Sequence, residues 1–106
     1  MNYRLNNIRV TTVGDASTFN CSHKAGEGFL CNGENLSFLP GTKRFSHFVL
    51  ASLMPYIAAK QRVRDKADWM QSETDIACPD PKCGAKFQFE IVGKSMYEYH
   101  PRSNEV

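Results

Sequence analysis

The chain has 106 residues, 42% of them hydrophobic and 23% charged, with a formal net charge of +2. That length holds one ordinary domain with a modest core and leaves no room for two. The small basic excess argues against a nucleic-acid backbone as partner, and the longest apolar run, Phe48 to Ala59, is broken by Ser52 and Pro55 and falls short of the about 20 residues of a membrane helix.

Met1 to Leu5 carries one basic residue and no apolar signal segment, so a cytoplasmic, reducing location is expected, with the four cysteines as thiols. Neither repeats nor low-complexity stretches divide the chain.

Arg4 to Val13 contains Ile8, Val10 and Thr12 at the period of two of a half-buried strand. Gly14 to Gly26 has turn composition and holds Cys21 and His23. Glu27 to Cys31 and Asn35 to Leu39 flank Asn32-Gly33, a pair suited to a tight hairpin turn. Pro40-Gly41-Thr42 stops the second arm, and Thr42 is the expected cap of a helix from Lys43 to about Arg64. Phe45, Val49, Leu53, Tyr56 and Ile57 form its apolar face, and Pro55 predicts a kink or a break into two helices. Trp69 is expected to turn inward, and Glu73 to Cys78 to form a short strand. Ala85 to Val92 sets Phe87, Phe89 and Ile91 against Lys86, Gln88 and Glu90, the clearest alternation in the chain.

The expected fold is a small two-layer α+β domain over residues 1–92. It has a three- to four-stranded, mainly antiparallel sheet and one long Pro-kinked helix on one face. Residues 93–106, with Met96, Tyr97, Tyr99 and His100, are expected to form a polar, flexible tail.

Cys78-Pro79-Asp80-Pro81-Lys82-Cys83-Gly84 puts two thiols either side of a proline-rigid turn, within the spacing of paired zinc ligands. Such a turn leaves amides free to donate to sulfur and stabilise thiolate. Cys21, His23 and Cys31 are the other candidate ligands, giving either three cysteines with one histidine or all four cysteines. Two other readings compete. The thiols are small buried hydrophobes, or Cys78 is a nucleophile with His23 as its base. His47 is expected to face solvent. Gly26-Glu27-Gly28 lacks the third glycine of a dinucleotide loop, because position 31 is Cys. Lys60, Arg62, Arg64 and Lys66 read as a solvated face interleaved by Asp65 and Asp68, and the strand phenylalanines as core.

Cys21-x-His23-Lys24-x-Gly26-Glu27-x-Phe29, Leu53-Met54-Pro55-Tyr56-Ile57, Trp69, Cys78-Pro79-Asp80-Pro81 and Phe87-x-Phe89-Glu90 together resemble an uncharacterised family of small prokaryotic proteins common in anaerobes. The resemblance spans residues 5 to 92 and carries no established activity. It implies that Cys21, His23 and Cys78 belong to a shared pattern. Where that family usually has a cysteine at the helix start, this chain has Ser46-His47, and it adds Cys83. His47 or Cys83 then replaces that ligand, or the fourth position is open.

The leading expectation is therefore a zinc- or iron-binding accessory or interaction domain using Cys21, His23, Cys78 and Cys83, with a protein or small-molecule partner and neither nucleic acid nor membrane. The alternatives are a thiol- or metal-dependent enzyme acting on a small polar molecule, and a homo-oligomeric or partner-binding protein using the sheet face that one helix leaves uncovered.

Overall fold

The computed structural model describes residues 2–63, 65–72 and 74–98. Tyr99, His100, Arg64 and the last residues of the expected tail lie outside the described residues.

Five strands form one antiparallel sheet in the order β3-β2-β1-β5-β4, comprising β1 (Asn2–Val13), β2 (Gly28–Asn32), β3 (Asn35–Phe38), β4 (Thr74–Ala77) and β5 (Lys86–Glu98). The expectation of three to four strands is thus corrected to five: both hairpin arms and the short β4 all pair into the sheet. A single helix, α1 (His47–Gln61), lies against it, with short 3-10 turns at Ala16–Thr18 and Trp69–Gln71.

The alternation in the sequence sets which face each strand buries. Val10 pairs with Phe29 on one side and Phe89 on the other, and Phe89 pairs with Thr74, so one row of side chains crosses four strands on the helix side. Ile8, Val10, Phe29, Phe87 and Phe89 are fully buried there, and α1 closes the layer with Val49, Leu53 and Ile57. Each such side chain contributes about 1.5–3 kcal/mol on burial.

The opposite row, Leu30, Arg9 and Glu90 in register, faces away from α1 and carries the Arg9–Glu90 ion pair at 3.1 Å. That uncovered face also presents Thr11, Gln88 and Asp75, so its polarity weakens the case for it as an apolar interface between copies.

Several local expectations are corrected. The hairpin turn is Gly33-Glu34, because Asn32 pairs with Asn35 and Gly33 takes φ 61°, the positive angle required at the first position of a II′ turn. The expected split into two helices at Pro55 does not occur: α1 is one helix from His47 to Gln61 with Pro55 inside it, on its solvent side. Its N-cap is Ser46, whose Oγ accepts from the Val49 amide, while Thr42 instead accepts the Gly28 amide at 2.9 Å. Trp69 is 57% exposed and its neighbour Met70 is buried. Gly93 to Glu98 continue β5 against Asn2 to Asn7, so the strand extends well into the segment expected to be tail.

The far end of α1 is held by side chains. Asn6 Nδ2 donates to the Lys60 carbonyl at 2.9 Å, supplying a partner to a helix C-terminal oxygen. Lys60 itself is fully buried, and its Nζ donates to the carbonyls of Met70 and Ser72 and to Thr74 Oγ1. No helix among the described residues is long and apolar enough to cross a membrane.

Candidate metal centre

Strand pairing brings the cysteine loops together. Val13, the last residue of β1, pairs with Lys86, the first of β5, so the loop leaving β1 and the loop entering β5 emerge at one end of the sheet. The first loop carries Cys21; the second is the β4–β5 connection and carries Cys78 and Cys83. Two bonds lock them: the Gly84 amide donates to the Thr18 carbonyl at 2.8 Å, and Asn20 Nδ2 donates to Asp80 Oδ2 at 2.6 Å. Gly84 is needed for this approach, because a Cβ there would overlap the Thr18 side chain.

Within the β4–β5 connection, Asp80 organises the turn. Its Oδ1 accepts from the Lys82 amide at 3.0 Å and its carbonyl from the Cys83 amide at 2.9 Å. The Cys78 amide donates to the Ala85 carbonyl at 3.1 Å, closing the loop at its base. The two prolines and the Asp80 bonds thus hold Cys78 and Cys83 at either side of one tight turn.

The sulfurs of Cys21 and Cys83 lie 3.6 Å apart, and Cys78 interacts with both. The backbone at His23, Asp80 and Ala85 favours the thiolate of Cys21, Cys78 and Cys83 respectively. Cys83 also accepts the Asn20 amide at 3.2 Å. Desolvation pushes all of these thiols upward. At Cys21 and Cys78 desolvation prevails and the pKa stays raised. At Cys83 the amides of Ala85, Asn20 and Cys21 and the Cys21 thiol outweigh it and bring the pKa down to about 7.

No family model, curated protein or solved structure matches this chain.

Three sequence-predicted residues are placed elsewhere. His23 is 6% exposed, stacked on Phe45 at 4.2 Å between ring centroids and set edge-on to Phe87 at 5.9 Å. Its Nε2 accepts the Ser46 amide at 3.3 Å, so this nitrogen secures the start of α1. Burial lowers its pKa, with Glu27 opposing. Cys31 pairs with Ile8 in the core face of β2, and burial alone drives its thiol up to about 11. His47 is exposed and stacks on Phe48 at 4.2 Å.

Among the described residues, no three His, Cys, Asp or Glu side chains form a ready cation cage. In their free-thiol form Cys21 and Cys83 make a sulfur–sulfur hydrogen bond at 3.6 Å. What sequence reasoning missed is Asn20, which donates its amide to Cys83 and its side chain to Asp80. Only its place next to Cys21 signalled this.

Proposed function

We propose that this chain is a small thiolate metal-binding domain, taking zinc or iron between Cys21, Cys78 and Cys83 and leaving a fourth position to an outside ligand. The observation that carries the reading is the meeting of the two cysteine loops, where the Cys21 and Cys83 sulfurs lie 3.6 Å apart, the Asn20 amide donates to the Cys83 sulfur at 3.2 Å, and Cys78 opens the same turn. Amides aimed at sulfur stabilise thiolate, the form that binds metal, and hold ligand orientation. Metal binding then replaces the thiol–thiol contacts through side-chain rotation, with the loops already joined by the Gly84–Thr18 and Asn20–Asp80 bonds. A three-thiolate centre with one open position suits ligand exchange more than a closed structural site. We place the domain in the cytoplasm, as an accessory or interaction module.

Cobalt(II) titration under anaerobic conditions tests this. Thiolate-to-cobalt absorption saturating at about one equivalent, and lost in Cys83→Ser, is expected. Absence of those bands, or identical bands in Cys83→Ser, overturns it.

A second reading is favoured by the Cys21–Cys83 distance of 3.6 Å and the lowered Cys83 pKa. Cys83 thiolate attacks a small-molecule disulfide such as oxidised glutathione and releases one thiolate. Cys21 then attacks the mixed disulfide, forming Cys21–Cys83 and releasing the second thiolate, so the pair loses two protons and two electrons. Incubating the metal-free protein with glutathione redox buffers tests it: a Cys21–Cys83 disulfide in equilibrium with the buffer supports it, and its absence removes it. The earlier nucleophile assignment, Cys78 with His23 as base, lacks support, since desolvation raises the Cys78 pKa and His23 Nε2 is engaged by Ser46.

A further inference from the structure

The reduced chain already holds Cys21 and Cys83 with their sulfurs 3.6 Å apart, against about 2 Å in a disulfide. The loops that carry them are joined independently of the sulfurs. The Gly84 amide donates to the Thr18 carbonyl at 2.8 Å, and Asn20 donates its side chain to Asp80 at 2.6 Å and its amide to the Cys83 sulfur at 3.2 Å. Folding therefore meets the entropy of bringing together two cysteines 62 residues apart, and a bond between them closes no new loop in the native chain.

Access divides the cysteines. Cys21 and Cys83 are half-buried, whereas Cys78 is 8% and Cys31 6% exposed. Thiol–disulfide exchange requires the oxidant to reach the sulfur, so a bulky oxidant meets Cys21 and Cys83 first. The same two sulfurs are two of the three donors in the metal reading. Once they are joined, Cys78 is left as a single donor, and His23 cannot make up the loss, because its Nε2 accepts the Ser46 amide at 3.3 Å.

We propose that a Cys21–Cys83 disulfide and a bound metal exclude each other, so that a small-molecule disulfide such as oxidised glutathione discharges zinc from the site and reduction restores the site. The inference rests on the metal reading and adds its regulation. Cys83 thiolate attacks one sulfur of oxidised glutathione, breaking its S–S bond and releasing one glutathione thiolate. Cys21 thiolate then attacks the Cys83 sulfur of the mixed disulfide, forming the Cys21–Cys83 bond and releasing the second glutathione thiolate. Two electrons pass from the protein to the oxidant, the released thiolates take up protons from water, and zinc leaves with its charge unchanged.

The test is stepwise oxidation of the zinc-loaded, full-length protein in anaerobic glutathione redox buffers, with released zinc read by a chromogenic chelator and disulfides mapped by mass spectrometry. Zinc release in step with a Cys21–Cys83 disulfide is expected, with full rebinding after reduction by a phosphine. Free zinc at about one hundred times its Kd should raise the oxidant-to-reductant ratio needed for half-oxidation about a hundredfold, since metal binds only the reduced form. Cys31→Ser should behave as the parent protein. Reduced protein that takes up no zinc would sink the metal reading and this inference together. Reduced protein that takes up zinc but keeps it after Cys21–Cys83 forms, or that pairs Cys78 instead, overturns this inference alone.

Discussion

Cys21 and Cys83 stand 62 residues apart in the chain, yet their sulfurs are 3.6 Å apart. The contact follows from strand order. Pairing β1 with β5 puts the end of one beside the start of the other, and the Gly84–Thr18 backbone bond then draws the two loops together. Cys78 joins them because the Asp80-centred turn returns the chain to the base of β5.

Gly84→Ala tests this close approach. The added Cβ would overlap Thr18 Oγ1 and Cβ, so the loops must separate, and metal affinity should fall by about tenfold or more while the rest of the sheet survives. Thr18→Gly in the same chain removes both overlapped atoms and should recover most of the loss. Cobalt titration of the single and double variants checks it, and unchanged affinity in Gly84→Ala would count against the loop geometry.

His23→Leu separates a ligand role from a packing role. The account expects bound metal per chain to be unchanged, because the His23 Nε2 is occupied by the Ser46 amide and the ring lies among Phe45 and Phe87. Stability should drop by about 1–3 kcal/mol as the Ser46 amide loses its acceptor. Elemental analysis together with urea unfolding gives both numbers, and loss of metal in a folded variant would restore His23 as a ligand.

Much of this fold was legible in the sequence because its signals are periodic. Phe87, Phe89 and Ile91 alternate as a strand must, and Val49, Leu53 and Ile57 recur at helical spacing, and these residues form or pack on the core. What was not legible depended on phase or on distant partners. Trp69 and Met70 are adjacent, and only the docking of the 3-10 turn against Lys60 decides that Met70 is inside. Thr42 and Ser46 are both good caps, and the choice was made by Gly28, fourteen residues from Thr42 in sequence, which claims the Thr42 hydroxyl.

The site divides in the same way. The two cysteines of the Cys78–Cys83 turn could be read from spacing, since five positions and two prolines leave the chain few alternatives. The Cys-x-His pair misled, because Cys21 faces the second loop while the His23 ring enters an aromatic cluster. Cys31 lies ten positions after Cys21 in β2 and belongs to the core by its register with Ile8.

Lys60→Met addresses the buried lysine. The substitution keeps the aliphatic stem but leaves the Met70 and Ser72 carbonyls without their donor, so a destabilisation of about 2–4 kcal/mol is expected. Urea unfolding measures it. A loss under about 0.5 kcal/mol would show that the charge contributes nothing to holding α1 against the Trp69–Gln71 turn.

Cys31 should be nearly inert. With its thiol pushed from 9.0 up to about 11, its thiolate fraction at pH 8 is about a hundredfold below that of an ordinary thiol, and burial adds a steric barrier. Iodoacetamide labelling of the folded, chelator-treated protein, mapped by mass spectrometry, should modify Cys31 last. Early modification of Cys31 would contradict its place in the core.

The central claim is that Cys21, Cys78 and Cys83 share a metal ion, and elemental analysis of untagged, anaerobically purified protein tests it most directly. The account predicts about one zinc or iron per chain, unchanged in Cys31→Ser and lost in Cys21→Ser, Cys78→Ser and Cys83→Ser. Protein that carries no metal, or that keeps its metal when Cys83 is replaced, would contradict it.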